Sequence, residues 1–252
     1  MDIVAGAHTG TKHLGGFNIA LLTARFKNVP AIAGRMKLVI FDLDGTLQSL
    51  EIDFHGLRAK LSVLFEGYGH PPLEGPLLEA VEKALGTLPE KGMPGTEVEL
   101  ARQRAYRMMD SWEMASFPKA RTFPGVEESL SELSSRGCRL AVQSRACRAY
   151  VQRSLERIGY DYDAMSARED VERAKPDPEG VLMLMGRLRC QPQNTFVVGD
   201  HPFDIDAGKR AGTFCAGVLT GAGTEENLVR AGADVVFDRV GPELVNWIRG
   251  IG

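Results

Sequence analysis

Four aspartates follow short apolar runs of the sequence and are the residues best suited to chemistry. Asp42 and Asp44 come directly after the first run, and Asp200 comes after a later one, with Asp204 four residues further on. A carboxylate at the end of a buried strand costs free energy unless it is paired or binds a ligand. In an open α/β sheet, ligands bind at the carboxyl ends of the strands. We therefore expect these acids to share one site.

A hydroxyl and an ammonium group join this candidate site. Ser144 follows another apolar run, and Lys175 stands shortly before a predicted helix. Several acids with one lysine and one hydroxyl suit a hard cation, because such cations prefer oxygen ligands. No CxxC pair and no histidines at zinc-ligand spacing accompany the acids, so the pattern favours Mg²⁺ over zinc.

The apolar runs predict the strands that must position these residues. Their lengths and their continuous apolar character are typical of strands buried on both faces of a parallel sheet. They span residues 38–41, 139–143, 195–199, 214–219 and 234–237. Helical patterns separate the runs, at 126–135, 148–158 and 178–189. This alternation predicts an α/β fold with a doubly wound, mainly parallel, Rossmann-like sheet.

Residues 48–121 interrupt the alternation. Apolar residues recur there at helical spacing in three stretches, and the first begins after Asp53, a residue type preferred at helix N-caps. We predict that 48–121 form an inserted all-helical domain, the cap, and that 36–47 and 122–252 form the α/β core.

Residues 1–35 differ in composition from the rest of the chain. Four basic residues stand against one acid in this stretch. We predict a poorly ordered N-terminal extension that the core does not need, with the core beginning at Met36.

Composition limits the kinds of partner. The chain has 252 residues, of which 44% are hydrophobic and 25% charged, which excludes a disordered chain. The net charge of −3 argues against nucleic acid as the main partner. The sequence has no apolar run of the ~18 residues that span a membrane. The four cysteines form no CxxC pair, so we expect reduced thiols and a cytoplasmic protein.

Four sequence motifs occur in an order that resembles the haloacid dehalogenase (HAD) superfamily. Residues 41–47 read FDLDGTL and resemble motif I; Ser144, after LAVQ, resembles motif II. The string KPDP at 175–178 resembles motif III, and VGDHPFD at 198–204 resembles motif IV. The predicted cap after motif I is similar to that of phosphoglycolate-phosphatase-like members.

The resemblance implies a role for each acid. Asp42 would be the nucleophile and form an aspartyl-phosphate. Asp44 would protonate the leaving oxygen and then deprotonate the attacking water. Mg²⁺ would be held by the carboxylate of Asp42, the carbonyl of Asp44 and the side chain of Asp200.

The resemblance also implies roles for the remaining residues. Ser144 would donate to a phosphoryl oxygen, and Lys175 would balance charge beside Asp42. Asp204 would orient the lysine or the waters on the metal. Arg145 follows the motif II serine where the family often has asparagine, so it is a candidate for setting substrate choice.

These roles together predict a Mg²⁺-dependent phosphatase. The expected partner is a small phosphorylated metabolite, a phosphomonoester like phosphoglycolate, and the expected assembly is a monomer or homodimer. Two alternatives stay open at this point: a phosphomutase of the same fold, which uses the same residues, and an inactive HAD-fold binding or scaffold protein.

Overall fold

A computed structural model describes residues 36–159 and 161–251 of the chain. The predicted N-terminal extension, 1–35, lies outside the described residues. Within the described ranges, no helix is both long enough and apolar enough to cross a membrane.

The core of the fold is a six-stranded parallel sheet. In spatial order its strands are β3-β2-β1-β4-β5-β6. In chain order they are β1 (Leu38–Phe41), β2 (Arg139–Gln143), β3 (Ala164–Ser166), β4 (Thr195–Gly199), β5 (Phe214–Val218) and β6 (Val235–Phe237). The predicted doubly wound parallel α/β fold is confirmed.

The central position of β1 explains its uninterrupted apolar sequence. Val39 and Phe41 pack into the apolar cluster on one face of the sheet, whereas Leu38 and Ile40 pack into the cluster on the other face. Neither face of this strand meets water, so every side chain is apolar. The helices that cover the two faces therefore hold the end of β1, and with it Asp42, in a fixed place.

Six helices flank the sheet in the described residues. They are α4 (Val126–Ser135), α5 (Arg148–Ile158), α6 (Glu179–Leu188), α7 (Pro202–Arg210), α8 (Glu225–Arg230) and α9 (Pro242–Gly250). The sequence patterns predicted α4, α5 and α6 but neither α7–α9 nor β3. These missed elements are short, and β3 has only three residues, one of them serine, so their apolar periodicity is too brief to read.

Three further helices lie between β1 and β2. They are α1 (Phe54–Glu66), α2 (Leu77–Thr87) and α3 (Gly95–Ser116), and they pack around an apolar cluster of their own. The Asp53 carboxylate caps α1 by accepting a hydrogen bond from the backbone N–H of Gly56 at 2.9 Å. The two connections to the sheet run side by side, because the backbone N–H of Ser49 donates to the carbonyl of Arg121 at 2.8 Å. The domain boundaries at 48 and 121 stay a prediction.

Candidate active site

A cavity of about 380 Å³ opens at the carboxyl edge of the sheet. Asp42 follows β1 and Asp200 follows β4, and these neighbouring strands lie where the strand order reverses, which is where open α/β sheets bind ligands. The cavity is lined by all seven residues predicted to form the site: Asp42, Asp44, Ser144, Arg145, Lys175, Asp200 and Asp204. The structure therefore brings together residues from distant parts of the sequence.

Lys175 lies at the centre of the polar floor of this cavity and is buried. Its Nζ donates to Oδ1 of Asp42 and to Oδ1 of Asp204, each at 2.5 Å, and to the carbonyl of Gln143 at 3.0 Å. Burial by itself lowers the pKa of Lys175, but the charges of Asp204 and Asp42 outweigh burial and raise it above its ordinary value. The lysine is therefore a permanent cation beside Asp42.

Three carboxylates lie close to one another beside Lys175. Asp42, Asp200 and Asp204 each offer an oxygen within 4.8 Å of the others. Burial raises the pKa of Asp42 well above its usual range, and the charges of Asp204 and Asp200 raise it further against the opposing effect of Lys175. Burial and Asp204 likewise raise the pKa of Asp200. A divalent cation would relieve this excess of buried negative charge, so the donor set fits Mg²⁺.

The hydrogen bonds separate the three acids by role. Asp204 uses both oxygens within the protein, because Oδ1 accepts from Lys175 and Oδ2 accepts from the backbone N–H of His201 at 3.0 Å. Of the two carboxylate oxygens of Asp42, Oδ1 accepts a hydrogen bond from Lys175, and Oδ2 accepts none from the described residues. Asp42 thus keeps an oxygen for a metal or a substrate, whereas Asp204 holds the lysine and the start of α7.

Glycines enclose the carboxylate of Asp200. A Cβ atom on Gly45 would lie 2.6 Å from the Asp200 carboxylate, and one on Gly221 would lie 2.0 Å from it. Gly45 also has a φ of +90°, which side chains disfavour. The backbone N–H of Ala222 donates to Oδ2 of Asp200 at 2.9 Å. The loop after β5 therefore fixes Asp200, a role that the sequence analysis did not assign to Gly221.

Asp44 lies in a second polar network. Its Oδ1 accepts from the hydroxyl of Tyr150 at 2.7 Å and from Nε2 of Gln48 at 2.9 Å. The side-chain amide oxygen of Gln48, Oε1, accepts in turn from Arg157 at 2.6 Å. Burial raises the pKa of Asp44 to about 6, although both hydrogen bonds to its carboxylate lower it. A carboxyl group with this pKa can both give and take a proton near neutral pH.

Ser144 and Arg145 follow β2 at the cavity. The hydroxyl oxygen of Ser144 accepts from the backbone N–H of Ala146 at 3.1 Å, which leaves its hydrogen available to a ligand. One Arg145 nitrogen, Nη2, lies 2.7 Å from both carboxylate oxygens of Glu79 on α2. The Arg145 guanidinium also lies 5.1 Å from the centre of the Phe203 ring. Substrate selection by Arg145 stays a prediction.

A buried ion pair that the sequence analysis missed connects α3 to the loop after β3. Arg168 donates to Glu113 and to Asp110, each at 2.5 Å. The second oxygen of Glu113 accepts from the backbone N–H of Cys147 at 2.8 Å. Arg168 and Glu113 both line the cavity. The signal in the sequence was an acid, Glu113, next to Trp112 on the apolar face of α3.

Comparisons with known proteins agree with this geometry. The sequence model of the family described as haloacid dehalogenase-like hydrolase matches residues 39–218, which include all seven predicted site residues. N-acetylmuramic acid 6-phosphate phosphatase of Pseudomonas aeruginosa is 28% identical over 216 residues, covering 81% of this chain and 91% of that protein. Pyrophosphatase PpaX of Bacillus velezensis is 31% identical over 191 residues, covering 73% and 83%. The crystal structure of a hydrolase from Pseudomonas syringae superposes with a TM-score of 0.62 at 21% identity, covering 86% of this chain and 100% of that one.

Proposed function

The chain belongs to the haloacid dehalogenase-like hydrolase family and is a phosphoric monoester hydrolase, and we propose that it hydrolyses small phosphorylated metabolites through a covalent phosphoryl-enzyme at Asp42, with Mg²⁺ bound. The observation that carries this proposal is the position of Asp42. Its carboxylate lines the cavity, is held by Lys175 at 2.5 Å and keeps a second oxygen free of hydrogen bonds from the described residues.

The first half-reaction transfers the phosphoryl group to Asp42. The free oxygen of Asp42 attacks phosphorus while the bond from phosphorus to the alcohol oxygen breaks. The proton of the Asp44 carboxyl group goes to the departing oxygen, which leaves as a neutral alcohol. Ser144 donates to a phosphoryl oxygen, and the ammonium of Lys175 offsets negative charge beside the nucleophile.

The second half-reaction returns the enzyme to its starting state. A water molecule attacks phosphorus and gives a proton to the Asp44 carboxylate. The bond from phosphorus to Asp42 breaks, inorganic phosphate leaves, and Asp44 is again protonated. The pKa of about 6 that burial gives Asp44 suits it to both steps.

We propose that Mg²⁺ is held by the carboxylates of Asp42 and Asp200 and by the backbone carbonyl of Asp44. When bound, this ion reduces the repulsion between an anionic nucleophile and an anionic phosphate. Asp204 does not reach the ion in this account, because Lys175 and the His201 N–H occupy its two oxygens.

A cytoplasmic location is part of the same proposal. All four cysteines are free thiols, and Cys147, Cys190 and Cys215 are buried. Burial raises the pKa of Cys147 to about 12, so this thiol is unreactive at neutral pH. Such cysteines suit a reducing compartment.

The test measures release of inorganic phosphate from an aryl phosphate, with and without Mg²⁺. We expect phosphate release by the native chain, complete loss on chelation with EDTA, and complete loss in Asp42→Asn, which keeps the volume of the side chain. The matched control is Asp206→Asn on α7, which does not line the cavity and should keep full activity.

Other functions give other results in this test. A phosphomutase would isomerise a sugar phosphate and release little phosphate, and a scaffold would release none. Activity that survives full chelation, or that Asp42→Asn retains, would contradict the proposal.

A further inference from the structure

We infer that the alcohol part of the substrate is uncharged and mainly apolar. This inference rests on the proposed function, and it concerns the side of the cavity that faces α1, α2 and α3 rather than the phosphate end. It differs from the expectation of a substrate like phosphoglycolate, whose alcohol part carries a carboxylate.

The first observation is an apolar wall of the cavity, formed by residues between 50 and 109. The segments between residues 50 and 109 contribute seven large apolar side chains to the cavity: Leu50, Ile52, Phe54, Leu57, Leu77, Leu78 and Met109. Two of them are left partly in water, since Leu50 is 41% exposed and Phe54 is 46% exposed. Large apolar side chains exposed together at a cavity are typical of a binding surface. Covering them with an apolar group would be favourable.

The second observation is that the cations near this wall already have partners. Arg145 is paired with Glu79, and Arg168 is paired with Glu113 and Asp110. A carboxylate on the substrate would have to compete with these acids. Glu113 itself lines the cavity and would repel it.

Among the described residues, Arg58 is the remaining guanidinium on the cavity wall, and its contacts do not favour an anion either. Its Nη1 donates to the carbonyl of Leu73 at 3.1 Å, and its Nη2 donates to the carbonyl of Gly75 at 2.7 Å. Arg58 therefore holds the connection between α1 and α2. A charged group placed against the apolar wall would lose its hydration without gaining a free partner.

The test is a series of n-alkyl phosphates, with ethyl, butyl and hexyl chains. Their alcohols have nearly equal acidity, so the chemical step is constant and kcat/KM reports binding of the chain. Each methylene that the wall buries should raise kcat/KM about fourfold. Propyl phosphate should also exceed phosphoglycolate, which has a similar size but carries a carboxylate.

A substitution in the apolar wall tests whether this wall causes the dependence of kcat/KM on chain length. Phe54→Ala should flatten the dependence of kcat/KM on chain length. The matched control is Val63→Ala on the same helix, since Val63 is 68% exposed and does not line the cavity; it should keep the dependence. The series on the native chain stands by itself if Phe54→Ala does not fold.

The outcomes separate this inference from the proposed function. Hydrolysis without chain-length dependence, or a preference for phosphoglycolate over propyl phosphate, would overturn the inference alone. Failure to release phosphate from any ester with Mg²⁺ present would overturn the proposed function and the inference with it.

Discussion

The hydroxyl of Tyr150 forms a hydrogen bond that affects the pKa of Asp44. It donates to Oδ1 of Asp44 at 2.7 Å, and Nε2 of Gln48 donates to the same oxygen at 2.9 Å. A hydrogen bond to a charged group contributes about 1.5–3 kcal/mol. Because this bond stabilises the carboxylate form, it lowers the pKa of Asp44.

We predict that Tyr150→Phe lowers kcat on an alkyl phosphate by about tenfold or more, since an energy of 1.4 kcal/mol corresponds to a factor of ten. The loss on an aryl phosphate should be smaller in the first half-reaction, because its leaving group needs less protonation. The pKa of Asp44 should rise, so the limb of the kcat/KM profile that falls as Asp44 ionises should move to higher pH. Steady-state rates across pH for both esters measure these effects.

Tyr162→Phe is the control for this prediction, because Tyr162 does not line the cavity. Equal losses on both esters, with an unmoved pH profile, would show that Tyr150 only supports the fold.

A substitution at Gly221 tests the metal site without replacing a ligand residue. We predict that Gly221→Ala displaces the carboxylate of Asp200, because the added Cβ would lie 2.0 Å from Oδ2. Mg²⁺ should raise the Tm of the native chain, since a ligand that binds only the folded state stabilises it. This rise should be lost or strongly reduced in Gly221→Ala.

Thermal unfolding with increasing Mg²⁺ makes the comparison. Gly86→Ala on α2 is the control, because nothing lies within 4 Å of the added Cβ, and it should keep the full rise. An unchanged rise in Gly221→Ala would exclude Asp200 as a ligand.

Three of the site residues that the sequence could identify follow a strand directly. Asp42, Ser144 and Asp200 each follow an apolar run that is long enough to predict a strand. They therefore lie together at the carboxyl edge of the parallel sheet. Gln48 and Tyr150 meet across 102 positions of the chain, and no local pattern marks such a contact. Their part in the site depends on how α5 packs, which only the folded structure shows.

At the scale of elements, the Arg168 ion pair connects α3 to the core. We predict that Arg168→Met lowers the free energy of unfolding by about 3–5 kcal/mol, because it leaves Glu113 buried without its charge partner. Unfolding in denaturant measures the loss.

Arg136→Met removes an exposed pair with Glu132 and is the control, which should cost about 1 kcal/mol or less. The double variant with Glu113→Leu should recover much of the loss, because it removes the unpaired charge. If the double variant is no more stable than Arg168→Met, the buried charge is not the cause.

The elements were predictable where apolar periodicity is long. The apolar faces of α1, α2 and α3 repeat over several turns, so their spacing indicates an all-helical insertion. The strand β3 adds only Ala164–Ser166, and α8 has six residues, too few for a pattern. The order of strands in the sheet also depends on pairing partners, which the sequence of one strand does not contain.

At the scale of the whole molecule, the proposed function requires only residues from Met36 onward. The predicted site residues and the matched family range lie between 39 and 218. We predict that a chain beginning at Met36 has the same Tm and the same kcat as the full chain. Thermal unfolding and phosphate release from one ester measure both. A clear loss of either would show that residues 1–35 contribute to the fold or the site.

The central claim, a phosphoryl group carried by Asp42, is tested most directly in Asp44→Asn. An aryl phosphate with an acidic phenol can leave without the Asp44 proton, but hydrolysis of the intermediate needs Asp44 as base, help that is typically worth about 10²–10⁴-fold. The aspartyl-phosphate should therefore accumulate, with a burst of phenol near one per site. Borohydride reduces an aspartyl-phosphate to homoserine, and mass spectrometry of peptides then locates it. We predict homoserine at position 42 and unchanged Asp200 and Asp204. No burst, and no homoserine at position 42, would contradict it.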